Sequence, residues 1–347
     1  MIISRTPFRI SFFGGGTDYP VWYRAHGGAV LATTINKYCY LTCRTLPPFF
    51  EYKSRIVWSK VEHVGGVEDI QHPAVREVLK FLQVTEGLSL HHDGDLPART
   101  GLGSSSSFTV GLLHALHGLK GVMPGKHRLA AEALHVEQER LREHVGSQDQ
   151  VIAAFGGLNR ITFPAQGAFE VTPIIVSEER LCLLQDHLML FFTGLSRNAS
   201  EIAAEQVKAT GQKTTELSRM REMVDEAIEI LQSAADLSAF GELLDEGWQL
   251  KRSLTGKIST RQIDAMYEAA RRAGAVGGKL LGAGGGGFLL LFARPEDQDG
   301  IRGALGGLLH VPFRFDSSGS RIIFYEQDQA VQSAAAAKTL KLVAERT

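Results

Sequence analysis

A chain of 347 residues with a net charge of −1 and 22% charged residues can hold two domains, each with its own core, and carries no global field that would recruit nucleic acid or an anionic membrane. No stretch approaches the roughly 18 apolar residues of a membrane span, and MIISRTPFRISFFGGG lacks the continuous apolar core of a signal peptide, so the expectation is a soluble cytoplasmic protein with a small-molecule partner. Cys39, Cys43 and Cys182 form neither an even set nor a metal-ligand spacing, which suits a reducing compartment, and Cys39 and Cys43 share one strand face and read as core.

In chain order, RISFF reads as a strand entering GGGTDYP, and AVLATTINKYCYLTCRT as a second strand rich in β-branched and aromatic residues. Val75, Val78, Leu79 and Leu82 have helical spacing over about 72–84, and LSLHHDGDLPA reads as a strand leading into TGLGSSSS. Val110, Leu112, Leu113, Leu116 and Leu119 then make a helix that is apolar nearly all round, and therefore central. A further helix runs from Lys126 to about His144. From about Phe163 the pattern restarts: VTPIIV and LCLLQDHLMLFFTG read as strands, and helical segments cover about 199–231, 236–254 and 260–274. KLLGAGGGG is expected to leave a helix and enter the strand FLLLFA, followed by the strand RIIFYE and a closing helix from about Gln329. Strands and helices mix without a repeating βαβ order, which argues an α+β fold in two lobes, divided as 1–162 and 163–347.

Three glycine-rich loops carry the chemistry. Gly101-Leu102-Gly103 followed by Ser104 to Ser107 and an apolar helix offers clustered N–H groups with a helix dipole behind them, which suits phosphate; the other reading is a capped turn. It is not a Walker A loop, since no lysine follows the glycines. Gly282 to Gly287 formally satisfies G-x-G-x-x-G but lacks the strand-then-helix context of a dinucleotide fold, and reads as a close-approach connection. Gly14-Gly15-Gly16-Thr17-Asp18 is either a turn with local Asp18 hydrogen bonds or a carboxylate gripping hydroxyls. His91, His92 and Asp93 lack a third ligand at suitable spacing, and His135 with Glu139 lacks the His-Glu-x-x-His pattern, so no zinc site is expected.

PFRISFFGGGTDYP, DLPARTGLGSSSS and KLLGAGGGGFLLLF, in that order and over nearly the whole chain, resemble the GHMP small-molecule kinase superfamily. FRISFFGGGTDYP, WSKVEHVGGVEDIQHPAVREVLKF, GSQDQVIAAFGG and FFTGLSRNASEI are most similar to its D-glycero-D-manno-heptose 7-phosphate kinases. The resemblance implies a two-lobed α+β fold, with a mixed-sheet N-terminal ATP-binding domain and a ferredoxin-like C-terminal domain. It also implies ATP and Mg²⁺ as cosubstrate and cofactor, and phosphorylation of the anomeric hydroxyl of a heptose 7-phosphate on the way to GDP-heptose and surface polysaccharide. No nucleic-acid or membrane partner follows, and a homodimer stays open.

Residue by residue, the resemblance puts the ATP phosphates on Gly101, Leu102, Gly103, Ser104, Ser105 and Ser106, and Mg²⁺ on Ser105 and Glu137, with Glu139 as the competing carboxylate. Asp149 falls where the catalytic base is proposed, with Arg9 beside it to keep it ionised and to offset charge in the transition state. Gly15 and Gly16 replace the Glu-His of galactokinases, which opens room for a larger acceptor, while Thr17 and Asp18 bind hydroxyls. Gly284 and Gly285 are placed at the substrate. Arg197 is the first candidate for a distal phosphate, with Lys251, Arg252 and Lys257 behind it, and Trp58 is either an adenine wall or core. Kinases of an unphosphorylated sugar such as fucose or mannose, and a non-catalytic sugar and nucleotide sensor, are the competing readings.

Overall fold

The computed structural model describes residues 1–47, 49–98, 100–195, 199–234 and 236–326. Arg197 and the helix expected from Gln329 lie outside the described residues.

The long strands β1 (Ile2–Phe13) and β2 (Gly28–Thr45), joined through the short helix α1 (Pro20–His26), are the spine of the first sheet. Phe8, Ile10 and Phe12 alternate into the core along β1, as a strand period of two requires. The hairpin β3 (Ser54–Val57) and β4 (Val61–Val64), helix α2 (Pro73–Phe81) and strand β5 (Leu88–Gly94) follow. The sheet order is β13-β1-β2-β5-β3-β4, where β13 is Arg321–Tyr325. It is mixed, because β3 and β5 run parallel while β1, β2 and β5 pair antiparallel.

Helix α3 (Ser104–Leu119) packs across β1 and β2 and is buried from Ser106 to His117. Around it lie α2, α4 (Lys126–Leu134) and α5 (Gln148–Phe155), with a π-helical turn, His135–Arg140, closing α4. Strands β6 (Asn159–Phe163) and β7 (Glu170–Pro173) extend the same sheet from β2, and β12 (Phe315–Asp316) pairs with β2 as well. A cut between 162 and 163 therefore does not separate the lobes: it falls inside β6, and the first sheet draws in 170–173 and 315–325.

The second lobe comprises α6 (Glu178–Asp186), β8 (Leu188–Phe192), α7 (Ala199–Ala209), α8 (Thr214–Gln232), α9 (Ser238–Leu254), α10 (Arg261–Arg272), β9 (Ala275–Leu280), β10 (Phe288–Ala293), α11 (Gln298–Ala304) and β11 (Leu309–His310). Its sheet is antiparallel in the order β11-β8-β10-β9. Phe288, Leu290 and Phe292 face the large core with α8 and α9, whereas Leu289, Leu291 and Ala293 face a second core with Ile263, Tyr267 and Ile301. Burial on both faces explains why FLLLFA is apolar without alternation.

Three expectations for this lobe are corrected. LCLLQD is helix, not strand: Ser177 caps it by accepting from the Arg180 amide, and Glu178 and Glu179 complement the dipole in its first turn. The segment 199–231 is two helices separated at 210–213. KLLGAGGGG joins two antiparallel strands, because AVGGKL is strand β9; its glycines let it lie against α9, where a Cβ on Gly277 would collide with the Gly241 carbonyl.

Candidate active site

The three glycine-rich loops converge. Gly101, at φ 84°, and Gly282, at φ 78°, face each other so closely that a Cβ on either would collide with backbone of the other loop. β1 holds the middle loop directly, through Arg9 N–H to the Leu102 carbonyl at 3.0 Å. Gly103 then starts α3 without a side-chain cap among the described residues, so the first-turn amides of Ser105 and Ser106 lie at a helix N-terminus with an aligned dipole behind them. The loop between β9 and β10 is the clamp that shapes this one. Gly285 is buried with its N–H on the Ile258 carbonyl at 2.9 Å, and a Cβ on Gly284 would meet Ile258 at 2.7 Å. Both glycines expected at the substrate thus pack on the Ile258 backbone.

At the mouth of the phosphate loop, Arg9 and Asp149 form a two-pronged ion pair, Nε to Oδ1 at 2.7 Å and Nη2 to Oδ2 at 2.8 Å, while Arg9 Nη1 donates to the Gly101 carbonyl. A Cβ on Gly103 would stand 3.4 Å from Asp149 Oδ2, so the carboxylate and the loop are adjacent. Asp149 sits in the first turn of α5, and Asp18 fixes where that helix begins. The Asp18 carbonyl accepts from Ser147 N–H at 2.8 Å, and its carboxylate accepts from Gln148 N–H at 3.3 Å and Gly16 N–H at 2.9 Å. Burial pushes the Asp18 carboxyl above its ordinary range, with the Gly16 amide opposing and the Asp149 charge adding to it.

Thr17 is corrected. It is fully buried, and its hydroxyl is shared between the carbonyls of Gly14 and Ala29 while accepting from the Ala29 amide, so it shapes the turn rather than meeting a ligand. The two glycines before it also differ. Gly16 is walled by Gln206 and Leu217, whereas a Cβ on Gly15 would meet only Gln148 Nε2 and Ser11 Oγ, each at 3.7 Å. Those neighbours matter because Ser11 Oγ and Gln148 Oε1 are buried without a hydrogen-bond partner among the described residues. Buried polar atoms are normally satisfied, so the space beside Gly15 is polar, open and incomplete. Neither Ser11 nor Gln148 stands out in the sequence.

The other flank carries a matching deficit. Glu137, fully buried on the π-helical turn, accepts from Ser106 Oγ at 2.9 Å and from Gln150 Nε2, both through Oε2, with the Thr109 side chain also close, while its Oε1 meets no hydrogen-bond geometry among the described residues. Burial raises its carboxyl to about 7 against the opposing hydrogen bonds. Ser106 is the serine that meets Glu137; Ser105 is exposed one position earlier on α3, and its carbonyl accepts from the Thr109 hydroxyl at 3.2 Å. A carboxylate oxygen beside serine hydroxyls is a hard-oxygen donor set, which fits Mg²⁺.

Trp58 is half-buried. Its indole N–H donates to Glu62 at 2.7 Å, and the ring meets His72 edge-on at 4.8 Å, which in turn stacks on Phe108 of α3 at 4.7 Å. The second-choice cations separate by environment: Arg252 pairs with Asp264 and Lys257 with Glu205, whereas Lys251 is buried. Lys279, which the sequence reading passed over, is buried beside it. Its cue was a single charge inside an otherwise apolar strand.

Comparison with known proteins agrees with this geometry. The family model for the N terminal domain of GHMP kinases matches residues 70–157, and that for the GHMP kinases C terminal region matches residues 226–309. The chain is 28% identical over 315 residues to the D-glycero-alpha-D-manno-heptose 7-phosphate kinase of Campylobacter jejuni, covering 88% of this chain and 93% of that one. Among solved structures it is similar to a D-glycero-D-manno-heptose 1-phosphate kinase from Bacteroides thetaiotaomicron, with a TM-score of 0.75 at 22% identity over 94% of this chain and 100% of that one. It is also similar to the galactose complex of Lactococcus lactis galactokinase, with a TM-score of 0.72 at 18% identity over 92% and 94% of the two chains.

Proposed function

This chain belongs to the GHMP kinase family and is a phosphotransferase, and we propose that it transfers the terminal phosphoryl group of ATP to the anomeric hydroxyl of D-glycero-D-manno-heptose 7-phosphate, giving the 1,7-bisphosphate. The observation that carries this reading is the Arg9–Asp149 pair at the mouth of the phosphate loop, flanked on one side by the open polar space at Gly15 and on the other by Glu137. The similarity in sequence to a heptose 7-phosphate kinase over most of both chains supports the choice of acceptor.

In this reading the amides of Gly101 to Ser106 hold the nucleotide's phosphates, and the half-buried face of Trp58 receives the adenine. The acceptor sugar lies beside Gly15, where Ser11, Gln148 and Asp18 supply hydrogen bonds to its hydroxyls. Asp149 takes the proton of the anomeric hydroxyl as that oxygen bonds to the γ-phosphorus, and the bond to the β–γ bridging oxygen breaks to release ADP. The fork to Arg9 orients Asp149, and the guanidinium offsets charge that builds on the phosphoryl oxygens. Glu137 with a serine hydroxyl at the start of α3 would hold Mg²⁺, which supplies charge neutralisation on the phosphates when bound. The product would enter the route to GDP-heptose for surface polysaccharide. A cytoplasmic setting accords with the free thiols of Cys39, Cys43 and Cys182.

An ADP-release assay with Mg²⁺ tests the reading, comparing heptose 7-phosphate with unphosphorylated heptose, mannose, fucose and galactose, and with phosphorus NMR of the product. Preference for the 7-phosphate with a new anomeric phosphate signal is the expected result. Turnover confined to unphosphorylated sugars overturns the acceptor, and no turnover on any of them restores the sensor reading.

A further inference from the structure

The site holds more basic side chains than carboxyl groups to pair with them. Lys251, on α9, and Lys279, on β9, are 7% and 6% exposed, and among the described residues their hydrogen bonds go only to main-chain carbonyls. Lys251 Nζ reaches the carbonyls of Leu280 and Gly282, and Lys279 Nζ reaches that of Phe12 at 2.6 Å. An ammonium carries three N–H donors, so one remains on Lys251 and two on Lys279.

Neither lysine makes an ion pair among the described residues. Asp149 is already committed to Arg9 through both oxygens, which leaves Asp18 as the remaining carboxyl that both lysines sense, and burial pushes Asp18 towards its neutral form. Three basic groups thus share two carboxyl groups inside the protein. Burying an uncompensated charge is costly, so without an anion these lysines are pushed towards the neutral amine, and an anion placed between them would restore their charge. Burial lowers both ammonium groups; Arg9 lowers Lys251 further, and Lys251 followed by Arg9 lowers Lys279 further.

The placement says where the missing charge belongs. Phe12, which Lys279 holds, adjoins Ser11 and leads into the acceptor loop, while Gly282, which Lys251 holds, packs on Gly101 of the phosphate loop. We propose that Lys251 and Lys279 form a cationic seat for a phosphate group at the acceptor end of the site. A dianion matches two converging ammonium groups; a carboxylate neutralises only one of them. This deepens, and rests on, the reading of the chain as a kinase of a phosphate-bearing sugar. The phosphate has two sources, the acceptor's own 7-phosphate and the phosphoryl group in transit, and kinetics separate them.

Lys251→Met and Lys279→Met are assayed against heptose 7-phosphate and unphosphorylated heptose, with Lys279→Arg as the charge-retaining control and thermal melting to establish folding. If the seat takes the acceptor's phosphate, KM for the 7-phosphate rises about 10- to 100-fold, as loss of a charge-assisted hydrogen bond allows, and KM for the unphosphorylated sugar stays put. If it takes the phosphoryl in transit, kcat falls on both acceptors with KM unchanged, and Lys279→Arg recovers part of it. Folded variants with wild-type kinetics on both acceptors overturn the seat while leaving the kinase intact; a wild-type enzyme that ignores the 7-phosphate overturns the acceptor instead. Should the methionine variants fail to fold, inorganic phosphate added to the wild-type protein already saturated with ADP, which fills the phosphate loop, decides the matter. A rise in melting temperature supports the seat, and its absence overturns it.

Discussion

Gly101 and Gly282 meet backbone to backbone, which locks a loop of the second lobe onto the loop that starts α3. Neither position has room for a methyl group, and both have the positive φ that a side chain resists. Gly282→Ala is expected to lose about 1–3 kcal/mol of stability, the usual cost of a non-glycine residue held in a strained conformation. It should also raise KM for ATP, because the displaced clamp no longer shapes Gly101 to Gly103. Urea unfolding and nucleotide kinetics measure the two effects; wild-type values in both would mean that the contact is incidental.

Asp149→Asn keeps the shape of the side chain beside Arg9 and removes its ability to accept a proton. Turnover is expected to fall about 10²- to 10⁴-fold, the usual contribution of a positioned general base. Nucleotide binding, which rests on the amides at the start of α3, should stay nearly as it is. Steady-state kinetics and calorimetric titration with ATP check the split, and unchanged turnover would remove Asp149 from the role of base.

The glycine loops and the buried helix α3 are legible in the sequence because runs such as GLGSSSS and GAGGGG constrain the backbone locally. What is not legible depends on distant partners. β8 and β10 are buried on both faces, so their apolar runs carry no period, and LCLLQD merges with the strand after it unless the Ser177 cap is noticed. AVGGKL reads as non-strand because its glycines answer to α9, far away in the chain. Thr17 looks like a ligand residue beside Asp18 until Ala29 folds back onto it. Ser11, Gln148 and Lys279 acquire meaning only from the fold: the carbonyl that Lys279 holds is 267 residues away.

Thr17→Val separates turn from ligand at the acceptor loop. The valine leaves the Ala29 amide buried without its acceptor, which costs about 1–3 kcal/mol. Because the hydroxyl faces the interior, KM for the acceptor is expected to hold. Thermal or urea unfolding beside acceptor kinetics gives the answer: a large rise in KM at unchanged stability would return Thr17 to the substrate.

Glu137 makes stability depend on pH with a definite sign. Its carboxyl rises from 4.5 to about 7 on folding, so the folded chain holds this proton more tightly than the unfolded one. The stabilisation is therefore complete below about 4.5 and fades as pH climbs through about 7, where the buried carboxylate forms with Oε1 unpartnered among the described residues. Glu137→Gln mimics the neutral carboxyl and does not titrate. Without divalent metal, the melting temperature of the variant relative to wild type is expected to increase from pH 5 to about pH 7 and to level off towards pH 8. Catalysis should move the opposite way, since Mg²⁺ needs the ionised group: the variant requires more Mg²⁺ for half-maximal turnover, most visibly at pH 8. Parallel melting curves across that range would show that Glu137 is already ionised in the folded chain. An unchanged Mg²⁺ requirement would leave the metal to other oxygens near α3.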